Sequence, residues 1–158
     1  MTNEKDTILE QVSSAIQKIK AIVEEKIKKL DEQIKEDLKI EHAMISIENR
    51  DNPSKYHRYV TLHRDEKRKL ADIKRSRDEL YGTLWEKFKY KDNRTLETKT
   101  QIEPLIFKHP KWVIQSVKYD EQKVLVDYLS DVVGIFNQRS YTLSNCVKIL
   151  EIDLGKKE

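Results

Sequence analysis

From Ser54 to Lys91 the chain runs nearly forty residues without a proline and with a single glycine, Gly82. Proline and glycine are the residues that stop or turn a helix, so their near absence leaves one long helix as the simplest state. The apolar pattern agrees. Tyr56, Tyr59, His63, Leu70, Ile73, Leu80, Leu84 and Phe88 recur every three or four positions, which is one stripe of a helix. The remaining surface of this segment carries a surplus of Lys and Arg larger than the net +3 of the whole chain. It also carries Trp85 and five other aromatics. Such a helix is expected to pack by one stripe and to meet a polyanion with the other. His63, Glu66 and Arg77 fall on or near the stripe, where a polar residue partnered across a helix interface fixes register.

The segment before it reads as an amphipathic arm over residues 1–38. Asp6 or Thr7 can cap a helix carrying Leu9, Val12, Ile16, Ile19 and Val23 at alternating steps of three and four. The stripe then jumps to Ile27 and resumes at Leu30 and Ile34, a stutter that locally unwinds a coiled coil without ending it. Ile and Val dominate, which suits coiled-coil packing in several oligomer states. Residues 1–53 balance to −3, so the arm is not expected to touch an anionic ligand. It packs on its own subunit or a neighbour, or docks another protein.

Between these helices, Asn49, Asp51, Asn52 and Pro53 form a turn cluster. The residue before a proline is biased away from the helical region, so Asn52 is expected in a turn and Ser54 as the cap of a helix over about 54–91. Asp92 and Asn93 are expected to end that helix. Residues 94–108 then form a connector that holds a short extended piece or nothing regular, because Pro104 and Pro110 argue against a helix running through.

A third segment, about 110–154, starts at His109-Pro110, proline suiting the first helical position. From Trp112 its apolar residues cover more than one face, which implies contact with two or more neighbours. Val124, Tyr128, Leu129, Val132 and Phe136 belong to this stripe and are expected in an oligomer seam. Gly134 interrupts it, which suggests close packing or a bend. After residues 137–140 the helical period returns with Leu143, Cys146, Val147 and Leu150, and Gly155 can stop it. Leu143, Val147 and Leu150 extend the seam, and Cys146 is expected as a buried thiol. The fold class is therefore all-α: long helices in a small bundle of residues 39–154, preceded by the coiled-coil-like arm.

Few chemistries remain open to such a chain. Glycine-rich phosphate loops of either common type are missing, and one cysteine with four scattered histidines makes no zinc pattern. With no nucleophile–base set or paired carboxylates, no catalytic residue, metal or cofactor is expected and the chain is not expected to be an enzyme. One cysteine allows no internal disulfide, and no apolar run approaches a membrane span, so a soluble intracellular protein is expected, without a membrane partner. The positive chemistry is a basic surface interleaved with aromatics: Lys74, Arg75, Arg77, Trp85, Lys87, Lys89 and Lys91. Cations follow a phosphate backbone, and flat rings stack on unpaired bases regardless of sequence, so a single-stranded nucleic acid is a ligand such a surface can take. A solvated, salt-bridged face on a structural or adaptor coiled coil is the competing reading.

SKY at 54–56, LYGTLWEKFKYK at 80–91 and HPKWVIQSVKYDEQKVLVDYLSDVVGIFNQRSYTLSNCVKILEI from 109 occur in that order. Over roughly residues 34–154 this succession resembles the UvsY recombination mediators of T-even-type phages. That family shares a small-Lys-aromatic helix start, an aromatic-rich end to the first long helix, and a closing helix with an Arg followed by small and apolar residues. The matching Arg here is Arg139, which the resemblance adds to the DNA-contacting set. The resemblance implies a homo-oligomeric ring, with no catalytic activity, in the cytoplasm of an infected bacterial host. It implies as partners single-stranded DNA, the phage recombinase and the single-stranded-DNA-binding protein, which the recombinase displaces with the mediator's help. The arm at residues 6–34 exceeds the usual family length. The family's basic pair before the aromatic helix end falls here on Gly82 and Leu84, which moves the expected DNA contact to neighbouring cations.

Overall fold

A computed structural model describes residues 2–91 and 98–155 of the protein, with side chains described for 6–41, 43–90 and 98–155. Among the described residues the protein is all-α, with no strand. Four α-helices follow in chain order: α1 (Thr2–Leu38), α2 (Ile45–Glu86), α3 (Lys99–Phe107) and α4 (Pro110–Gly155). A 3₁₀ turn, His42–Met44, leads into α2, and a π-helical turn, Lys87–Lys91, follows it. The expected end of the second helix at Asp92 and Asn93 lies outside the described residues.

The periodic segments are helices, as their spacing predicts, but two prolines do not act as the sequence suggests. Helix α2 starts at Ile45 rather than Ser54 and runs through Pro53. An interior proline removes one helical hydrogen bond and crowds the preceding turn, typically for about 3 kcal/mol. Tertiary contacts offset it here. Ile45 and Asn52 are buried, and the Asn52 amide donates to Ser140 Oγ at 2.7 Å and accepts from Arg139 at 2.6 Å. Ser144 Oγ donates to Asn49 Oδ1 at 3.4 Å, so the first turns of α2 are held from α4. Pro104 likewise lies inside α3, part of the expected irregular connector. Burial of Ile102 and Ile106 on one side of α3 supplies the compensation. At its start, the Thr98 backbone N–H donates to Gln101 Oε1 at 3.3 Å, half of a capping box.

Helix α1 has already begun at Thr2, ahead of the expected cap at Asp6 or Thr7, and passes the stutter without a break. Helix α4 is continuous through residues 134–140. At Gly134 a Cβ would meet nothing within 4 Å, so the expected close packing does not explain this glycine.

The chain divides into two compact units, residues 1–25 with 68–124, and residues 26–67 with 125–158. This division cuts across the arm-and-domain boundary expected at residue 38, because α1, α2 and α4 each contribute to both units.

In the second unit, Ile34, Tyr59, Val132 and Phe136 form a buried cluster, with Leu30, Leu38, Tyr56, Tyr128 and Val133 around it. Tyr59 stacks on Phe136 at 4.6 Å between ring centroids. Its hydroxyl donates to Asp37 at 2.6 Å, and Arg58 donates to the same carboxylate. Burial raises the Tyr59 pKa. Glu66 is buried and pairs with Lys26 at 2.6 Å, so this seam residue is partnered within the chain, as its position on the stripe predicts. In the first unit, Leu84, Ile102 and Ile106 are buried together beneath Leu80, Tyr81, Trp85, Phe88 and Trp112.

Candidate nucleic-acid interface

The cations and aromatics singled out in the sequence converge in part, and the meeting place is the first unit. Leu84 faces Ile102 and Ile106, which brings the last turns of α2 against α3 and sets a group of rings at the edge of that contact. The Tyr81 ring lies 6.0 Å from Trp85 and 5.7 Å from Trp112, and Phe107 lies 5.7 Å from Trp112. Phe88 meets His109 edge-on at 6.2 Å, so the π-helical turn adjoins the corner between α3 and α4. The Tyr81 hydroxyl donates to Glu103 at 3.0 Å, and burial followed by that carboxylate raises its pKa. Two rings turn outward: Tyr90 is 69% exposed and Phe107 49%.

The cations take different positions around these rings. Arg77 is tucked in, its guanidinium 4.1 Å from the Tyr119 ring centroid and 6.0 Å from that of Trp112. Its Nε is buried and makes no hydrogen bond, lying 3.9 Å from an Asp78 oxygen. Arg77 thus meets the sequence expectation of a partnered seam residue through rings as well as a carboxylate at the limit of ion-pair distance, an arrangement that suits the weakly hydrated, planar guanidinium. Lys74 and Arg75 are exposed, Arg75 within 3.6 Å of Asp72. Lys87 is exposed and Lys89 half-buried, each ammonium beside the next ring along, Phe88 at 5.5 Å and Tyr90 at 5.1 Å. Trp85 is half-buried among the other rings. The Lys91 side chain lies outside the described residues.

His109 reports the local potential. Its Nδ1 accepts from the Lys111 backbone N–H at 3.3 Å, capping the first turn of α4. Its pKa is lowered, first by burial and then by the charges of Lys87 and Lys111. Lysines from the α2 end and the α4 start therefore bear on one imidazole. Residues 87–91 and 104–119 hold six lysines and no carboxylate. That second stretch, with Phe107, Lys108, His109, Lys111, Trp112 and Tyr119, was not among the expected contacts. Its freedom from Asp and Glu, in a chain that is 37% charged, is the signal that points to it.

Arg139 belongs elsewhere. It lies in the second unit with 5% of its side chain exposed, donating to Glu48 at 2.8 Å, Asn52 at 2.6 Å and the Lys39 carbonyl at 3.3 Å. Glu48 also accepts from Lys55 at 2.9 Å, and these bonds, that from Arg139 foremost, hold its carboxyl below the usual range. A guanidinium committed inside the chain in this way is not placed to meet a phosphate. The family-based expectation for this residue is corrected accordingly.

The expected seam is also redistributed. Leu129, Val132, Phe136 and Leu143 are buried in the second unit. Their apolar surface is satisfied within the subunit, so they are core rather than interface. Tyr128, Val147 and Leu150 are half-buried, and burial with Asp31 raises the Tyr128 pKa. Val124 is 52% exposed. Cys146 is half-buried rather than buried, because core burial on α4 ends at Leu143. On the side of α4 away from the core residues, Ile135, Tyr141, Ile149 and Ile152 are exposed.

Among the described residues no group of His, Cys, Asp or Glu is arranged to hold a metal, and no helix is long and apolar enough to cross a membrane. The chain matches no protein-family model, curated protein or solved structure.

Proposed function

We propose that the protein is a non-enzymatic, single-stranded-DNA-binding recombination mediator of the UvsY kind, acting as a homo-oligomeric ring. It helps a phage recombinase replace the single-stranded-DNA-binding protein and steadies the filament that results. The observation that supports this most is the group of lysines and rings where the end of α2 meets α3 and the start of α4, its lysines drawn from two stretches, 87–91 and 104–119, that hold no Asp or Glu. Lysines neutralise phosphates irrespective of sequence, and rings accept any base, which is what a loader of long single strands requires.

The exposed apolar residues on the outer face of α4 support self-association, since Ile135, Tyr141, Ile149 and Ile152 fall on one side of the helix. Assembly also answers an energetic need. A few lysines on one subunit bind a strand weakly at physiological salt. A ring repeats the contact at high effective concentration, giving avidity from bonds that individually break and re-form. Reversible contacts suit a loader that must yield the strand to the recombinase.

Salt-titrated binding to matched single- and double-stranded oligonucleotides tests the reading. Binding that prefers the single strand and falls steeply with salt is expected. Absence of binding even at low salt would favour a structural or adaptor coiled coil, whose partner would be another protein on the same apolar face.

A further inference from the structure

We infer that the corner joining α3 to α4 is a base-stacking site, with Phe107 stacking on an unpaired base and Lys108 and Lys111 holding the adjoining phosphates. This rests on the single-strand reading above and goes beyond it by assigning the contact to a segment outside α2. Three observations carry it.

The first is the ring itself. Phe107 is the last residue of α3, directly after Ile106, which is fully buried. One step round the helix turns Phe107 away from that core, so half of a large apolar ring stays in solvent while its inner side leans on Trp112. A ring held by a second aromatic has few rotamers to lose when a base stacks on it, and base–aromatic stacking does not depend on sequence.

The second is charge. Lys108 and Lys111 are both exposed and flank the corner, and Lys87 from the π-helical turn bears on the same imidazole as Lys111. With no carboxylate between Pro104 and Tyr119, no local ion pair is available to these ammonium groups from their own segment. A purely apolar partner and a free inorganic anion are disfavoured in opposite ways. A coiled-coil partner would leave the lysines without phosphates, and a free anion would leave the ring exposed. A strand of unpaired nucleotides satisfies both.

The third is the supporting shell. Trp112 is in contact with Tyr81 as well as Phe107, and Tyr81 is tied to Glu103. The ring under the proposed stack is thus fixed from α2 and α3 together, which is the preorganisation a repeated weak contact needs.

The test uses the full chain and oligo(dT), whose bases stack little on one another. Phe107→Ala is expected to weaken oligo(dT) binding about tenfold while leaving the slope of log affinity against log salt unchanged, and Phe107→Trp to restore it. Lys108→Ala with Lys111→Ala is expected to reduce that slope by about 1.4 for each copy of the chain in contact with the strand, since each single-strand phosphate contact contributes about 0.7. Both tryptophans of the chain, Trp85 and Trp112, lie in the cluster, so oligo(dT) should quench fluorescence in a Trp85→Phe variant. If Phe107→Ala loses helicity, Phe107→Leu keeps the apolar bulk without a π face and is expected to show the same tenfold loss. Wild-type affinity in a folded Phe107 variant, or an unchanged salt slope in the lysine variant, overturns the corner as the stacking site. In that case the mediator reading stands, provided the wild-type chain binds single strands. If the wild-type chain binds none, both fall together.

Discussion

Arg139 shows how a charged residue becomes a buried, bonded part of the second unit. It is held by Glu48 and Asn52, whose own positions in the chain are about ninety residues away. Its Nε is buried without a hydrogen bond, so the guanidinium is only partly satisfied and depends on the partners it has. Removing one member of such a pair leaves the other's charge behind, and Arg139→Ala is expected to lower stability by roughly 3 kcal/mol at neutral pH. The loss should itself depend on pH. Arg139 and Lys55 hold the Glu48 pKa below its usual 4.5, so Glu48 contributes stability above that value and loses it as pH falls through the folded-state pKa. Urea denaturation of wild type and variant should therefore give midpoints that converge as pH drops below about 4.5. Midpoints separated by the same amount at pH 7 and at pH 3 would show that Glu48 is not the partner that matters. Nothing local in the sequence around Arg139 announces this role. A motif match, by contrast, treats it as a surface cation, because a motif carries no information about Asn52 and Glu48.

At the scale of the helix, the 3.6-residue period was enough to locate three long elements, and local breakers were a poor guide to their ends. Pro53 and Pro104 sit inside helices because long-range partners, Arg139, Ser140 and the Leu84 cluster, outweigh a local bias worth a few kcal/mol. Periodicity also cannot say what an apolar stripe faces. Leu129, Val132, Phe136 and Leu143 fit an oligomer seam and a private core equally well, and only the folded contacts choose the core. The corner at 104–119 was legible in principle, through its missing carboxylates, but Pro104 drew its first residues into a supposed connector and the rest was read only as the start of the third helix. The glycines offer a check on the helices themselves. Gly82 and Gly134 both lie within long helices and a Cβ at either meets nothing within 4 Å. Each should therefore behave as an ordinary helix-interior glycine. Gly82→Ala and Gly134→Ala are each expected to raise stability by about 0.5–1 kcal/mol, read as a higher thermal midpoint. A fall at Gly134 would mean that something approaches that face which a single subunit does not contain, and would point to a partner there.

At the scale of the molecule, the question is how a subunit of net charge +3 holds a nucleic acid strand. Its lysine-rich corner is small, so binding by the proposed reading is a property of the assembly, and the assembly should be separable from the fold. Substitution at Leu129 does not separate them. That side chain is fully buried, and burial of a leucine is worth about 1.5–3 kcal/mol, so a charge there would unfold the subunit before it tested any interface. Ile135 and Ile149 are 45% and 57% exposed and can take a charge in the monomer at little expense. Ile135→Glu with Ile149→Glu is expected to leave helicity unchanged and the intrinsic stability of the single chain within about 0.5 kcal/mol, as surface substitutions usually do. Light scattering should then show a lower mass, with weaker oligo(dT) binding and a shallower salt slope, because fewer phosphates are neutralised per bound particle. A variant of unchanged mass would remove the outer face of α4 from the seam. A true monomer that still bound with the wild-type slope would be the more informative result. It would mean that one corner suffices to hold the strand, and that the exposed isoleucines serve a different protein.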